Sequence, residues 1–278
     1  MVTKITCVVN DVALSEIDLR REHGLAFWIE TGQGNILFDT GQTAEVLSHN
    51  LAVLDLRPQD AGSLALSHAH YDHTGGLEAI LSKNLDLTIY AHIDIFQPRY
   101  SLQKGKYQSI GISLTHESLT KQAQLHLSNA PSEIFHGLWT TGEISERPEP
   151  EGRSAQHFIR TNKGWQPDSY RDDLSLVIKT SAGLVLICGC CHAGLLNTLF
   201  HVQQKFEGSI IAVLGGTHLM TANDLYLNHV IEIITDRFPY LNFYLNHCTG
   251  EQAYQTLTRA FGSRVKSCPS GTVVTFDS

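Results

Sequence analysis

His68-Ala-His70-Tyr-Asp72-His73 places four potential metal ligands within six residues, directly after the apolar run at 64–67 and shortly before Gly75-Gly76. A cluster this dense rarely arises among unrelated surface histidines, so the fold must be one that can gather such ligands at a single point. In extended backbone, residues two apart point the same way, and His68 and His70 can therefore reach one ion. Asp72 and His73 then face elsewhere and can serve a second. Four ligands do not fill two coordination spheres, so others must come from distant segments. His192 and His247 are the candidates, each lying just past an apolar run that reads as a strand.

The rest of the chain indicates how such segments meet. Short apolar runs alternate with helical patterns throughout, the signature of a layered α/β fold. Runs at 26–30 and 35–38 predict a hairpin that leads into Asp39-Thr40-Gly41, and runs at 174–179, 184–188, 210–214 and 242–245 predict further strands. Leu195, Leu199, Val202 and Phe206 share one helical face, as do Leu227, Ile231, Ile234 and Phe238. Thr221 with Asp224, and Thr249 with Gln252, suggest capping boxes at two helix starts. Residues 64–68 and 243–247 look like two copies of one strand-turn-helix device, one in each half. In α/β sheets such strand-end loops converge on a shared crevice where ligands bind. One domain over 1–278 is expected, with the polar, weakly periodic stretch at about 100–170 as an insertion or lid.

Composition narrows the function. Twenty Lys+Arg against 28 Asp+Glu, a net charge of -8, offers no broad basic face for a nucleic-acid backbone. A local basic pocket for one small anion is still compatible, with Arg147, Arg153, Arg160 and Arg171 as candidates. No apolar run approaches a membrane span, and the start MVTKITCVVND lacks a signal-peptide core, so a cytoplasmic protein without membrane partners is expected. Six cysteines, three of them at 188, 190 and 191, do not form a disulfide framework. Thiols buried in strands or placed near a metal fit better.

The 68–73 constellation resembles the H-x-H-x-D-H hallmark of the metallo-β-lactamase superfamily, and the likeness extends over nearly the whole chain. It implies a four-layer αβ/βα sandwich, with Asp39 in the segment 36–41 ordering the metal loop and His247 as the last ligand. By this resemblance His68, His70 and His192 take one divalent ion and Asp72, His73 and His247 another. Nitrogen-rich donors with one carboxylate suit zinc and tolerate iron or manganese. One departure stands out: Gly189-Cys190 occupies the place of a bridging aspartate, and 169–173 that of the usual glycine- and histidine-rich loop. His192 then supplies the missing imidazole, and the Cys190 thiolate is a candidate bridge or ligand, or simply packs the turn.

Segments 140–144, 189–194, 215–219 and 247–250 are similar to one branch of that superfamily. It includes archaeal enzymes that join a dihydropterin methyl diphosphate to ribofuranosylaminobenzene 5'-phosphate, alongside metal-dependent hydrolases. The resemblance implies an enzyme that cleaves a small anionic ester or phosphoester with an activated water, which Asp72 orients. The alternatives are a transferase that displaces diphosphate, and a metal-bearing sensor without turnover. Thr140, Thr141 and Gly142 are expected at the pocket, His218 is a candidate for substrate or metal contact, and Trp139 either covers a flat ring or packs the core. The remaining histidines, His23 and His157 among them, read as structural.

Overall fold

Alternation along the strands layers this molecule, because successive side chains of an extended chain go to opposite faces. In β1 (Val2–Val9), β2 (Ala26–Thr31) and β3 (Gly34–Phe38), the side chains of Ile5, Phe27, Ile29, Ile36 and Phe38 join one apolar cluster, while Val8, Trp28 and Leu37 join another. The computed structural model, which describes residues 2–84 and 86–277, builds two seven-stranded sheets on this rule. The first has the order β18 (Val273–Asp277), β1, β2, β3, β4 (Ala61–Ala65), β5 (Thr88–Ala91), β8 (Gln124–Leu127). The second runs β17 (Val265–Ser267), β16 (Asn242–Leu245), β15 (Ile210–Gly215), β14 (Gly183–Cys188), β13 (Ser175–Thr180), β10 (Leu138–Thr140), β9 (Ser132–Phe135).

Between the sheets, Phe27, Phe38, Leu176, Ile187 and Leu214 form one core. On the outer face of the first sheet, α1 (Ala44–Val53) and α3 (Leu77–Leu81) pack Leu47, Leu51 and Ile80 against Trp28 and Leu64. Across the second, α5 (Leu195–Lys205), α6 (Asp224–Arg237) and α7 (Glu251–Phe261) bury Leu199, Leu227, Ile234 and Leu257 against Leu186 and Val213. Helix, sheet, sheet, helix is the αβ/βα sandwich. No helix among the described residues is long and apolar enough to cross a membrane.

Residues 100–170 spread over three sheets. β8 extends the first, β9 and β10 the second, and a four-stranded sheet of order β12 (Gly164–Pro167), β11 (His157–Thr161), β6 (Arg99–Gln103), β7 (Lys106–Ser109) stands apart from both. The short helices α2 (Tyr71–Thr74) and α4 (His116–Thr120) complete the chain. The third sheet is anchored by the buried Arg99, whose guanidinium meets Asp168 at 3.2 Å and Asp172 at 2.6 Å; Asp172 also accepts the N–H of Ala69 at 2.8 Å.

Both expected capping boxes differ from the structure. Asn223, directly before α6, accepts the N–H of Tyr226 at 2.9 Å, so Thr221 is not the cap. Before α7 stands Gly250 with φ 79°, where a side chain would put its Cβ 2.6 Å from Met220 Cα; the Thr249 hydroxyl instead accepts from Thr217 at 3.1 Å. The strand expected at 64–67 ends at Ala65, since the N–H of Ser67 turns away from the ladder to Asp39.

Candidate metal centre

Strands β3, β4, β5 and β8 run parallel in one sheet, and β14 to β17 run parallel in the other. Their carboxyl ends carry Asp39, His68, Cys190, His192, His218 and His247, so the chemistry gathers in one crevice.

Asp39 organises the first loop. It is buried with φ 60°, accepts the Ser67 N–H at Oδ1 (2.7 Å) and the Ser67 hydroxyl at Oδ2 (2.7 Å), and meets His73 Nδ1 at 2.7 Å. A carboxylate only accepts, so the proton of His73 sits on Nδ1 and Nε2 keeps its lone pair. The single hydroxyl proton of Ser67 goes to Asp39, and that oxygen is left to accept from His68 Nδ1 at 2.8 Å. His192 Nδ1 donates to the Gly152 carbonyl at 2.8 Å and His247 Nδ1 to Asp11 at 2.7 Å. His68, His73 and His192 thus keep an unprotonated Nε2, whereas His247 faces carboxylates at both nitrogens: burial pulls its imidazole down, but the bonds to Asp11 and Asp72 outweigh it and hold the ring well above its usual range.

The ligand atoms fall into overlapping groups: those of His68, His70 and His192 lie within 4.8 Å of one another, as do those of Asp72, His73 and His247, and those of His68, His73 and Cys190 connect the two. His68 Nε2 and His70 Nδ1 stand 3.1 Å apart, and two lone pairs at that spacing repel unless a proton or cation lies between them. His192 Nε2 is buried with no hydrogen-bond partner among the described residues. Such an orphaned lone pair is what a metal site leaves when its ion is set aside. Burial pushes the imidazoles of His68, His70 and His192 well below their usual range, which keeps them in the neutral form that binds metal. Burial pushes the Asp72 carboxyl up, but His73 and His247 outweigh it and hold it well below the usual carboxylate range. The residues present therefore fit a metal centre.

A cavity of about 240 Å³ opens on this centre, lined by His70, Asp72, Cys190, His192, His218 and His247 among others. Cys190 Sγ lies 3.2 Å from His73 Nε2. Thr140, Thr141 and Gly142 are not part of its lining: the Thr140 hydroxyl accepts from Ser132 N at 3.1 Å and the Thr141 hydroxyl from Ser175 N at 2.9 Å, holding β10 in its sheet. Trp139 packs against the second sheet's helix-side core, 6.2 Å from Phe206 between ring centroids. The four arginines of the 100–170 region and its border are also engaged elsewhere. Arg147 and Arg153 pair with Glu151, Arg171 with Glu143 and Asp94, and Arg160 lies over Trp165.

Three residues stand at the centre against expectation: Asp11, which sequence reasoning passed over, and His23 and His157, which it read as structural. His23 bridges Asp11 (2.8 Å) and Asp72 (3.3 Å). Asp11 also fixes His247, and His157 lines the cavity with its ring 5.1 Å from that of His70. Asp11 was within reach of the strand-end rule, for it follows β1, which is antiparallel to β2 as β2 is to β3 and so ends on the same edge. His23 carries a weaker signal in Gly24, where a side chain would meet Asp72 O at 2.5 Å.

Comparison with known proteins agrees with this architecture. The 7,8-dihydropterin-6-methyl-4-(beta-D-ribofuranosyl)-aminobenzene-5'-phosphate synthase of Methanocaldococcus jannaschii is 28% identical over 285 residues, covering 98% of this chain and 96% of its own. A second protein of that organism, the uncharacterized MJ0448, is 32% identical over 241 residues, 86% of this chain and 88% of its own. The crystal structure of Tm1679, a metal-dependent hydrolase of the β-lactamase superfamily, matches with a TM-score of 0.83 at 23% identity over 98% of both chains. The sequence model of the metallo-beta-lactamase superfamily itself fits residues 19–157, and the chain belongs to that superfamily.

Proposed function

We propose that this protein is a metal-dependent hydrolase of a small ester or phosphoester, with His68, His70 and His192 holding one divalent ion and Asp72, His73 and His247 a second. The observation that carries the reading is the tautomer pattern: His68, His73 and His192 are anchored at Nδ1, which leaves Nε2 for an ion, beside a cavity lined by His70, Asp72, His192 and His247. The donor set suits zinc, with iron or manganese also accommodated. Bound ions supply Lewis acidity there and bring the pKa of water towards about 7.

The chain's own groups do the rest. Asp72 faces the cavity and orients a water or returns a proton, backed by His23 and His247 at 3.3 and 3.4 Å. His157 and His218 offer ring N–H groups to the substrate from the walls. Among the described residues no Lys or Arg lines the cavity, so an anionic substrate depends on these donors and on the ions. At about 240 Å³ the cavity is on the small side for a ligand site, which favours a small substrate or the reacting end of a larger one. Residues 1–278 are read as one domain whose third sheet forms the lid, and six free thiols suit the reducing cytoplasm.

Group transfer is the second reading, favoured by the full-length likeness to a synthase. In it an aromatic nucleophile takes the place of water and a diphosphate leaves. Assay of the zinc-loaded protein on generic esters, lactones and phosphodiesters separates the two. Hydrolysis predicts turnover on at least one class, abolished by His68→Ala and Asp72→Ala with the fold intact. Inactivity on all three, together with tight binding of a pterin, would overturn it in favour of transfer or sensing.

A further inference from the structure

The six cysteines fall into three neighbouring pairs, and one pair differs from the others. Cys7 with Cys268 is buried between the sheets, and Cys188 with Cys191 under the helices of the second sheet, each in an apolar cluster. Cys190 and Cys248 belong to neither cluster and line the cavity, together with His218.

We propose that Cys190, His218 and Cys248 form a third, thiolate-rich site for zinc, opening on the same cavity as the two histidine-rich groups. One donor atom from each lies within 4.8 Å of the other two. Ligands around one tetrahedral zinc sit roughly 3.5 Å apart, given bond lengths of about 2.3 Å to sulphur and 2.0 Å to nitrogen, so little movement is needed to close the site. His218 Nδ1 is a further buried nitrogen without a hydrogen-bond partner, and the backbone N–H of His218 already donates to Cys248 Sγ at 3.3 Å.

The backbone bears conformational cost to hold these groups together. Cys191, His218 and His247 all occupy the left-handed region, with φ of 56°, 48° and 47°. A side chain at Gly216 would put its Cβ 2.6 Å from Cys248 Sγ and 2.5 Å from Gly189 O, so only glycine lets the 215–219 loop settle on the thiols. Two thiolates and an imidazole suit zinc and reject hard cations such as magnesium or calcium. Three protein ligands leave the fourth position open to the cavity, and loading releases the thiol protons to solvent. Cys190 lies beside His73 but, in this assignment, serves the third site and does not bridge the histidine-rich groups. The inference needs only these three side chains and does not rest on the hydrolase reading.

Cobalt substitution of the whole protein tests it. The expected spectrum shows a thiolate-to-cobalt charge-transfer band that falls to about half in Cys248→Ser and persists in the His68→Ala/His247→Ala double variant. A band unchanged by Cys248→Ser would assign the sulphur to Cys190 alone and overturn the proposal. So would loss of the band from a double variant that keeps its circular dichroism spectrum. If Cys248→Ser does not fold, zinc X-ray absorption on the unaltered protein decides instead. Because the signal averages over all bound zinc, two sulphurs at about 2.3 Å spread over three filled sites appear as about two-thirds of a sulphur per zinc and support the site, whereas about one-third, a single sulphur in the whole protein, or none overturns it. Failure of the hydrolase reading would appear separately, as absent turnover with the thiolate band intact.

Discussion

Asp39→Asn is the sharpest probe of the centre, because one carboxylate sets the tautomers of histidines in both groups. Its Oδ2 takes the Ser67 hydroxyl and His73 Nδ1, each at 2.7 Å, while Oδ1 takes the Ser67 N–H. An asparagine keeps the Ser67 N–H bond with its oxygen and so turns its NH2 towards the other two. One N–H then donates to His73 Nδ1 and moves that ring's proton to Nε2, where it blocks ligation. The other donates to the Ser67 hydroxyl, whose proton swings to His68 Nδ1, 2.8 Å away, and shifts that ring in the same sense. Loss of an outer partner typically weakens metal binding 10- to 100-fold, about 1.4–2.8 kcal/mol, and here both groups should lose it. Ser67→Ala removes only the His68 branch and should weaken one site alone. Zinc affinity measured by competition with a chromophoric chelator, with unfolding of the metal-free proteins followed alongside, gives the comparison. If Asp39→Asn binds two ions as tightly as its parent while folded, the tautomer argument is wrong and Asp39 merely fastens the loop.

Arg99→Met should destabilise the protein by about 3–5 kcal/mol, since it strands the buried carboxylates of Asp168 and Asp172; urea unfolding reads this directly. Asp173 gives a pH signature in the metal-free protein. Burial pushes its carboxyl up to about 7, so the folded state holds a proton that the unfolded chain releases above its ordinary 3.8, and stability from this group falls as pH rises through that window. Asp173→Asn removes the slope: relative to the parent, the variant should gain on the order of a few kcal/mol between pH 4 and pH 8, and a difference independent of pH would refute the assignment. Gly216→Ala should lower the melting temperature by several degrees, because its Cβ meets Gly189 O and Cys248 Sγ; an unchanged melting curve would mean that the loop is free to move aside.

The strands could be read in advance where period-two apolar runs were long and buried on both faces. β13, β14 and β15 are of this kind, with burial at nearly every position. The region from 100 to 170 resisted because its strands are three to five residues long and mostly half-exposed, so their pairing is decided by distant partners. β11 finds β6 across more than fifty residues, and only that pairing carries His157 to the cavity. The helix starts were misread for a local reason: Asn223 and Gly250 lie closer to the first helical turns than the threonines that fit the box spacing.

The site divides in a similar way. That His68, His70, Asp72, His73, His192 and His247 gather at one place was legible, because a metal would demand particular atoms and few side chains supply them. Asp11 and His23 were not, since they act on those ligands from outside and any acceptor or donor in place would serve. Thr140, Thr141 and Gly142 mark the opposite error. They resemble a family segment, yet both hydroxyls are used within the sheet, and at Gly142, with φ 67°, a Cβ would stand 2.6 Å from the backbone of Ala130. A shared motif there preserves a backbone crossing, which positions β10 beside β13 and needs no substrate to explain it. Resemblance therefore speaks most reliably about chemistry where the matching residues bring unpaired polar atoms into a cavity, as His70 and His192 do.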